Sequence, residues 1–427
     1  MARPTAHSSL LGIALLLALL SLVAAGPARG ASDPAPRVLA ASPYVLSDEQ
    51  FISGTLRGEP AIATFLRVED SFLLDLPLEP VVGKPVPAPE ALAFLGEAYS
   101  VSPSLLLALA ESRYGVLSAE TAPVAHAALA DWFRDSALAL SRRFYDDYYG
   151  LTGDRVVWPN GQPFKIEAGN ASTYALRAYF FTDVYTGGDP ARTLAAWEEE
   201  LLDIYYHTFG PRLAGRLIST RPGAAEAQAR PYLRLPWMGG DSWRLTGGPH
   251  NFDGSDRFPL SGVDFQPTGY SGCNPPVARY RPVTASASGL VVGDQPHWLK
   301  LDHDGDGDPH TGWQTVYGHL DERLPAEGEW VYRGERLGAP SCHGGFASGI
   351  HVHFGVKHQN IWQPATDYTL SGWRVQNGDE AYHGTMIRAG HAERLSCFRP
   401  EEQSMDCTHA VLLSDNWPSR MWRPEMR

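Results

Sequence analysis

The texture of the chain changes near residue 230, and this change constrains the fold more than any single motif. Before it, apolar residues recur at helical spacing. Leu129, Trp132, Phe133, Leu138, Leu140 and Phe144 all follow that period within 125–149. Beyond it, glycine, proline and tryptophan become frequent and short alternating runs dominate, as at 286–292, 314–319 and 350–356. Segments of the two periods, segregated along one chain, predict a multidomain α+β protein. Its N-terminal region is mostly helical and its C-terminal domain is antiparallel all-β. A helix is expected from Ser102, which caps it, through Pro103 at the first turn to Gly115, with Leu105–Leu109 burying one side. Further helices are expected at 172–183 and 190–208, after a proline-rich entry at 32–86 with short strands or helices. The small-residue stretch 220–230 (TRPGAAEAQAR) reads as an exposed linker.

A chain of 427 residues is too long for one ordinary core, and 44% apolar residues supply enough material for packed domains. The formal charge of −13 and the lack of a Lys/Arg block argue against nucleic acid as a partner. The same charge gives no general attraction to an anionic cell wall, so a wall substrate would need a shaped cleft. At the N-terminus, Arg3 precedes a nearly continuous apolar run at 10–25 and then small residues, the pattern of a cleaved export signal. An uncleaved anchor is the alternative, but the run is shorter than the roughly 20 residues a span needs. These features divide the chain into a signal peptide at 1–30, a helical accessory region at 31–228 and a β domain at 229–427. The expected location is extracellular, with no membrane contact after signal cleavage. Four cysteines in an exported chain suggest disulfides. Cys397 and Cys407 are close enough for a local loop, which leaves Cys273 with Cys342.

The chemistry concentrates in the β half. In Gly349-Ile350-His351-Val352-His353-Phe354 the two histidines are two apart, so on a strand they share one face. Asp264 lies between Val263 and Phe265, the pattern of a buried strand with an inward carboxylate, which is costly unless paired or bound to metal. His250 lies upstream, and His319 follows the strand-like run Thr315-Val316-Tyr317-Gly318. Two imidazoles and one carboxylate with a fourth position left to water describe a catalytic zinc site.

Together these motifs resemble the lysostaphin-type zinc metallopeptidases, in particular the branch of staphylolysin and β-lytic metallopeptidase. The resemblance covers roughly 232–417. It includes Leu233-Arg234-Leu235-Pro236-Trp237, Cys342-His343-Gly344-Gly345 and the terminal cysteine loop. It implies one zinc per chain held by His250, Asp264 and His353, with His351 as general base and His319 beside the oxyanion, two roles that could be exchanged. Asp253 is the rival carboxylate. The resemblance further implies a propeptide in the helical region and a monomeric mature enzyme. The expected substrates are glycyl bonds in peptidoglycan cross-links or glycine-rich polypeptides. A wall-binding regulator without activity, or an amidase or carboxypeptidase on the same scaffold, is the alternative. One departure stands out. The branch has an oxyanion-binding tyrosine shortly before its last cysteine pair, whereas 391–397 (HAERLSC) has none, which leaves His391 as a stand-in. Separately, Asp304, Asp306 and Asp308 resemble part of a calcium loop, although Thr315 occupies the position where a bidentate glutamate belongs.

Overall fold

The computed structural model describes residues 37–38, 42–81, 84–157, 163–210, 230–251, 257–270, 272–273, 281–399, 404–405 and 410–413. The expected signal peptide, the linker up to residue 229 and the rival ligand Asp253 lie outside these residues.

Local signals set the helices. The helix α1 (Asp48–Ile52) starts with a capping box from Ser47 and Gln50. It is followed by α2 (Glu59–Val68) and by a hairpin of β1 (Pro77–Val81) and β2 (Lys84–Pro87). Next come α3 (Ala88–Tyr99) and α4 (Pro103–Tyr114). The α4 boundaries match the sequence signals. The Ser102 hydroxyl accepts from the Leu105 amide at 3.1 Å, and Gly115 closes the helix at φ 65°. The expected one-sided burial does not hold, because 105–110 are all buried. The helix packs against α3, α5 (His126–Tyr148) and α7 (Pro190–Phe209), so it is enclosed all round. Between these last two lies α6 (Ala171–Tyr179), capped by Asn170. No single helix among the described residues is long and apolar enough to cross a membrane.

The second half forms an antiparallel sheet. Its strands are β3 (Ser242–His250), β4 (Gly262–Pro267), β5 (Gly289–Gln295), β6 (Trp298–Asp302), β7 (Trp313–Gly318), β8 (Trp330–Val331), β9 (Val352–His358) and β10 (Val411–Leu413). They lie in the order β8-β5-β6-β7-β9-β4-β3-β10. Alternation along the strands gives the sheet two unlike faces. Leu299, Leu301, Tyr317, Val263, Phe265, Val352, Phe354 and Val356 point into one hydrophobic core. Trp237 and Trp243 join it and stack at 5.2 Å, so both pack the β core.

The opposite face carries Trp298, Lys300, Val316, His353, Lys357 and Asp264, and here the helical region docks. Trp298, Val316, Ile361 and Trp362 belong to the core of the helical half. Trp362 donates its indole N–H to the Ala98 carbonyl at 3.0 Å, and the Tyr149 hydroxyl donates to the Trp362 carbonyl at 2.8 Å. Burying the roughly 200 Å² of one such indole stabilises docking by on the order of 5 kcal/mol as an upper figure. Residues 37–427 therefore form one compact unit with two cores.

Candidate metal centre

Sheet register brings the expected ligands together. His353 on β9 pairs with Asp264 on β4, and His250, at the end of β3, pairs with Gly262 on β4. Their donor atoms converge. His353 Nδ1 is 3.1 Å from Asp264 Oδ1, His250 Nε2 is 3.2 Å from His353 Nδ1, and His250 Nε2 is 3.6 Å from Asp264 Oδ1. All three residues are buried. Two glycines leave the room this requires. A Cβ on Gly262 would sit 2.1 Å from the His353 ring, and one on Gly247 would sit 2.7 Å from an Asp264 oxygen.

The backbone selects the histidine tautomers. His250 Nδ1 lies 2.8 Å from the Gly248 carbonyl, which fixes its proton there and turns a bare Nε2 toward Asp264. Burial pushes the His250 imidazole down to about 4, which keeps it neutral and able to ligate. Burial would raise the Asp264 carboxyl, but the imidazoles of His250, His351 and His353 outweigh it and hold the acid well below its ordinary range. A buried set of two imidazoles and a carboxylate fits zinc. The other donor groups among the described residues, His297-Asp321-His343 and Asp302-Asp304-Asp306, are both more exposed.

The two remaining histidines flank this triad. His351 Nε2 is 3.7 Å from Asp264 Oδ1, and its Nδ1 faces the Gly349 carbonyl at 2.8 Å. His319 lies tilted against His351, with ring centroids 4.4 Å apart and planes 52° from parallel, and its Nδ1 faces the His343 carbonyl at 2.7 Å. Both rings therefore present Nε2 to the site. His319 holds a left-handed backbone at φ 60°, a conformation that costs a non-glycine residue on the order of 1 kcal/mol. Gly345 lies against its ring, where a Cβ would fall 3.0 Å from Cε1.

Tyr382 also reaches the site. It lies in the turn between the paired strands Trp373–Asn377 and Gly384–Ile387. Its N–H donates to the Pro249 carbonyl at 3.1 Å, and its carbonyl accepts from the Gly248 amide at 2.7 Å. These bonds lay the phenol ring on His250, with centroids 4.0 Å apart and planes 17° from parallel. His391, the expected stand-in for a tyrosine, is exposed and packs on Trp373 at 5.3 Å. Tyr382 was missed by the sequence reading, since Asn377-Gly378 marks a turn but says nothing of where the residues in it reach.

The calcium expectation gains no support. Asp308 pairs with Arg57 of the helical half at 2.6 Å. The carboxylates of Asp302, Asp304 and Asp306 accept from the amides of Asp304, Asp306 and Asp308, forming an ordinary acidic turn. Burial, then the neighbouring Asp304, raises the Asp302 carboxyl to about 6. The expected Cys273–Cys342 disulfide is present, with its cysteines 69 residues apart. Cys397 is also disulfide-bonded, and Cys407 lies outside the described residues.

Residues 268–364 match peptidase family M23. The match marks an M23 peptidase domain in the β half of the chain. The M23 match includes His319, His351 and His353 but begins after His250 and Asp264, which the sheet register brings in. Among curated relatives, the β-lytic metalloendopeptidase of Achromobacter lyticus is 29% identical over 181 residues, 41% of this chain and 44% of that protein. The chain thus spans less than half the length of that relative. Protease LasA of Pseudomonas aeruginosa strain UCBPP-PA14 is 26% identical over 391 residues, 86% of this chain and 89% of that one. An alignment of that length extends from the M23 domain into the helical half. Among solved structures, the M23 metalloprotease pseudoalterin from the deep sea is 26% identical over 41% of this chain and 98% of its own, with a TM-score of 0.34.

Proposed function

We propose that the chain is an exported zinc metalloendopeptidase that hydrolyses glycyl peptide bonds, in peptidoglycan cross-links or glycine-rich polypeptides. The observation that carries this is the convergence of His250 Nε2, His353 Nδ1 and Asp264 Oδ1 within 3.6 Å of one another at the floor of an M23 domain. The family of the relatives supports the same reading. Zinc held by these donors would acidify a water toward neutral pH and polarise the scissile carbonyl.

The chain's own residues then divide the remaining work. His351 and His319 turn bare Nε2 atoms to the site, so either can accept the proton of the attacking water and return it to the leaving amine. The Gly349 and His343 carbonyls hold both rings in that tautomer. Tyr382 is the residue we assign to the oxyanion, in the role expected of the branch tyrosine. The helical half covers the sheet face that carries the ligands, and the Lys84 ammonium on its hairpin donates to the Gly345 carbonyl beside His319. In this reading the helical half leaves after export, and the freed groove admits chains without Cβ atoms at the cleaved bond.

The test is zinc stoichiometry by mass spectrometry together with pentaglycine hydrolysis. His353→Ala should lose both the metal and turnover. His319→Ala should keep zinc and lose turnover. A metal-free His353→Ala protein that still cut the peptide would end the proposal.

A further inference from the structure

The sheet face that carries the metal ligands also carries two lysines that the chemistry above does not use. Lys300 on β6 and Lys357 on β9 are buried, and both ammoniums close on one carboxylate, Glu97 of α3. Lys300 Nζ donates to Glu97 Oε2 at 2.7 Å and Lys357 Nζ to Glu97 Oε1 at 2.6 Å, so each carboxylate oxygen takes one ammonium. Lys357 also donates to the Glu97 carbonyl at 2.8 Å and to Asn360 Oδ1 at 3.1 Å, and Lys300 to the Pro309 carbonyl at 3.0 Å. The Trp362 ring lies under the Lys357 ammonium, 4.5 Å from its centroid, and covers Gly355.

Strand geometry places this pair in the groove. His353, Gly355 and Lys357 alternate on one face of β9, so Lys357 is roughly 13 Å from His353 at about 3.3 Å per residue. Lys300 pairs with Val316 on β7, which faces Gly355 across the next ladder. The lysines therefore lie about four residues along an extended chain from the metal donors. An open cleft of about 590 Å³ between the halves, lined in part by Trp298, Lys300, Val316 and Glu97, reaches the same spot.

The charge balance is uneven. Two cations share one anion, and that anion belongs to the half that covers the groove. Burial would raise the Glu97 carboxyl, but the two ammoniums outweigh it and hold it well below its usual range. Burial pushes Lys357 down to about 7, while the Glu97 carboxylate works the other way and holds the ammonium in place. In a chain of formal charge −13, a bare lysine pair on the groove floor is a local exception.

We infer that Lys300 and Lys357 form a carboxylate-binding subsite of the peptidase groove, which Glu97 of the helical half occupies in place of a substrate. The uncovered groove then selects peptides with a carboxylate, on an acidic side chain or at a chain end, about four residues from the cleaved glycyl bond. This rests on the peptidase reading above and adds the substrate class to it.

The test has two arms. In the first, full-length Glu97→Ala is titrated with acetate against chloride at equal ionic strength. Acetate should raise its melting temperature and leave the wild type unmoved, and Lys300→Met in the Glu97→Ala background should abolish the gain. No acetate-specific gain overturns the subsite. In the second, full-length protein is treated with trypsin and assayed on matched glycine peptides. These carry glutamate or glutamine three, four or five residues to either side of the glycine run, or end in a free carboxylate or an amide. The acidic member should be favoured about tenfold in kcat/KM at one spacing. The ratio should fall toward one in Lys300→Met and Lys357→Met. The side-chain and chain-end pairs tell the two carboxylate sources apart. Equal cleavage of all pairs overturns the subsite alone. Cleavage of none overturns the peptidase reading and this inference with it. Should Lys357→Met fail to fold, Lys300→Met and the acetate arm still decide.

Discussion

Gly262→Ala separates metal ligation from folding more cleanly than removal of a ligand. Gly262 sits in the extended strand β4, where alanine meets no backbone penalty, and the added methyl points at one target. It would lie 2.1 Å from His353 Cε1 and 2.5 Å from Nε2. Ordinary carbon contacts begin near 3.5 Å, so the ring must move by roughly 1.4 Å. Metal–ligand distances tolerate only about 0.2 Å, so His353 cannot stay in the coordination set after such a shift. Loss of an outer-shell partner alone costs about 10–100-fold in affinity, and loss of a direct ligand costs at least the upper end, about 2.7 kcal/mol. Overpacking itself should cost roughly 1–3 kcal/mol of stability. The assay is competition for zinc against a chromogenic chelator, with unfolding followed by circular dichroism in excess chelator to isolate the folding term. Zinc affinity should fall about 100-fold or more while the apo protein still unfolds cooperatively. A folded Gly262→Ala protein with zinc affinity within threefold of wild type would refute the ligand geometry.

Three other outcomes follow from the same structure. Tyr382→Phe should lower kcat on pentaglycine by about 10²-fold with KM nearly unchanged, since removing one oxyanion donor has that size of effect; steady-state kinetics check it. Cys273→Ser should lower stability by about 4 kcal/mol, the figure for a closed loop of 69 residues, as read from denaturant unfolding. Glu97, facing Lys300, Lys357 and nearby His310, is held below its ordinary 4.5, so its contribution is full above that pH and fades as the medium becomes more acid. Glu97→Gln should therefore cost about 3–5 kcal/mol near neutral pH and flatten the acid limb of melting temperature against pH.

Much of the centre was legible because it depends on period two. Once β9 is a strand, His351 and His353 must share a side and Val352 and Phe354 must fill the core, and both hold. Asp264 was legible for a related reason: a carboxylate between Val263 and Phe265 on a doubly buried strand needs a partner, and the β4–β9 register supplies His353. The Ser102 and Gly115 limits of α4 were equally local. Tyr382 was not legible, because its place depends on two backbone bonds to β3, a strand more than 130 residues earlier, and on a left-handed turn residue at φ 67°. A search counted back from the cysteines reached His391 instead.

The docking of the two halves was illegible for a different reason. Periodicity marks which positions are buried but not what buries them. Trp298 and Val316 read as ordinary strand residues, yet their partners are helices from the other end of the chain. Nothing in the sequence around Lys300 or Lys357 names a partner for either. Only the fold shows one acid from α3 closing both, on the same surface that gathers His250, Asp264 and His353. A sheet face this polar cannot pack against helices unless the helices bring complementary charge, and Glu97 is that charge. The helical half is thus fitted to the groove by the groove's own ligand preference, so a change in Lys300 or Lys357 should alter substrate choice and docking together. A substitution at either lysine that shifts one without the other would separate the two roles.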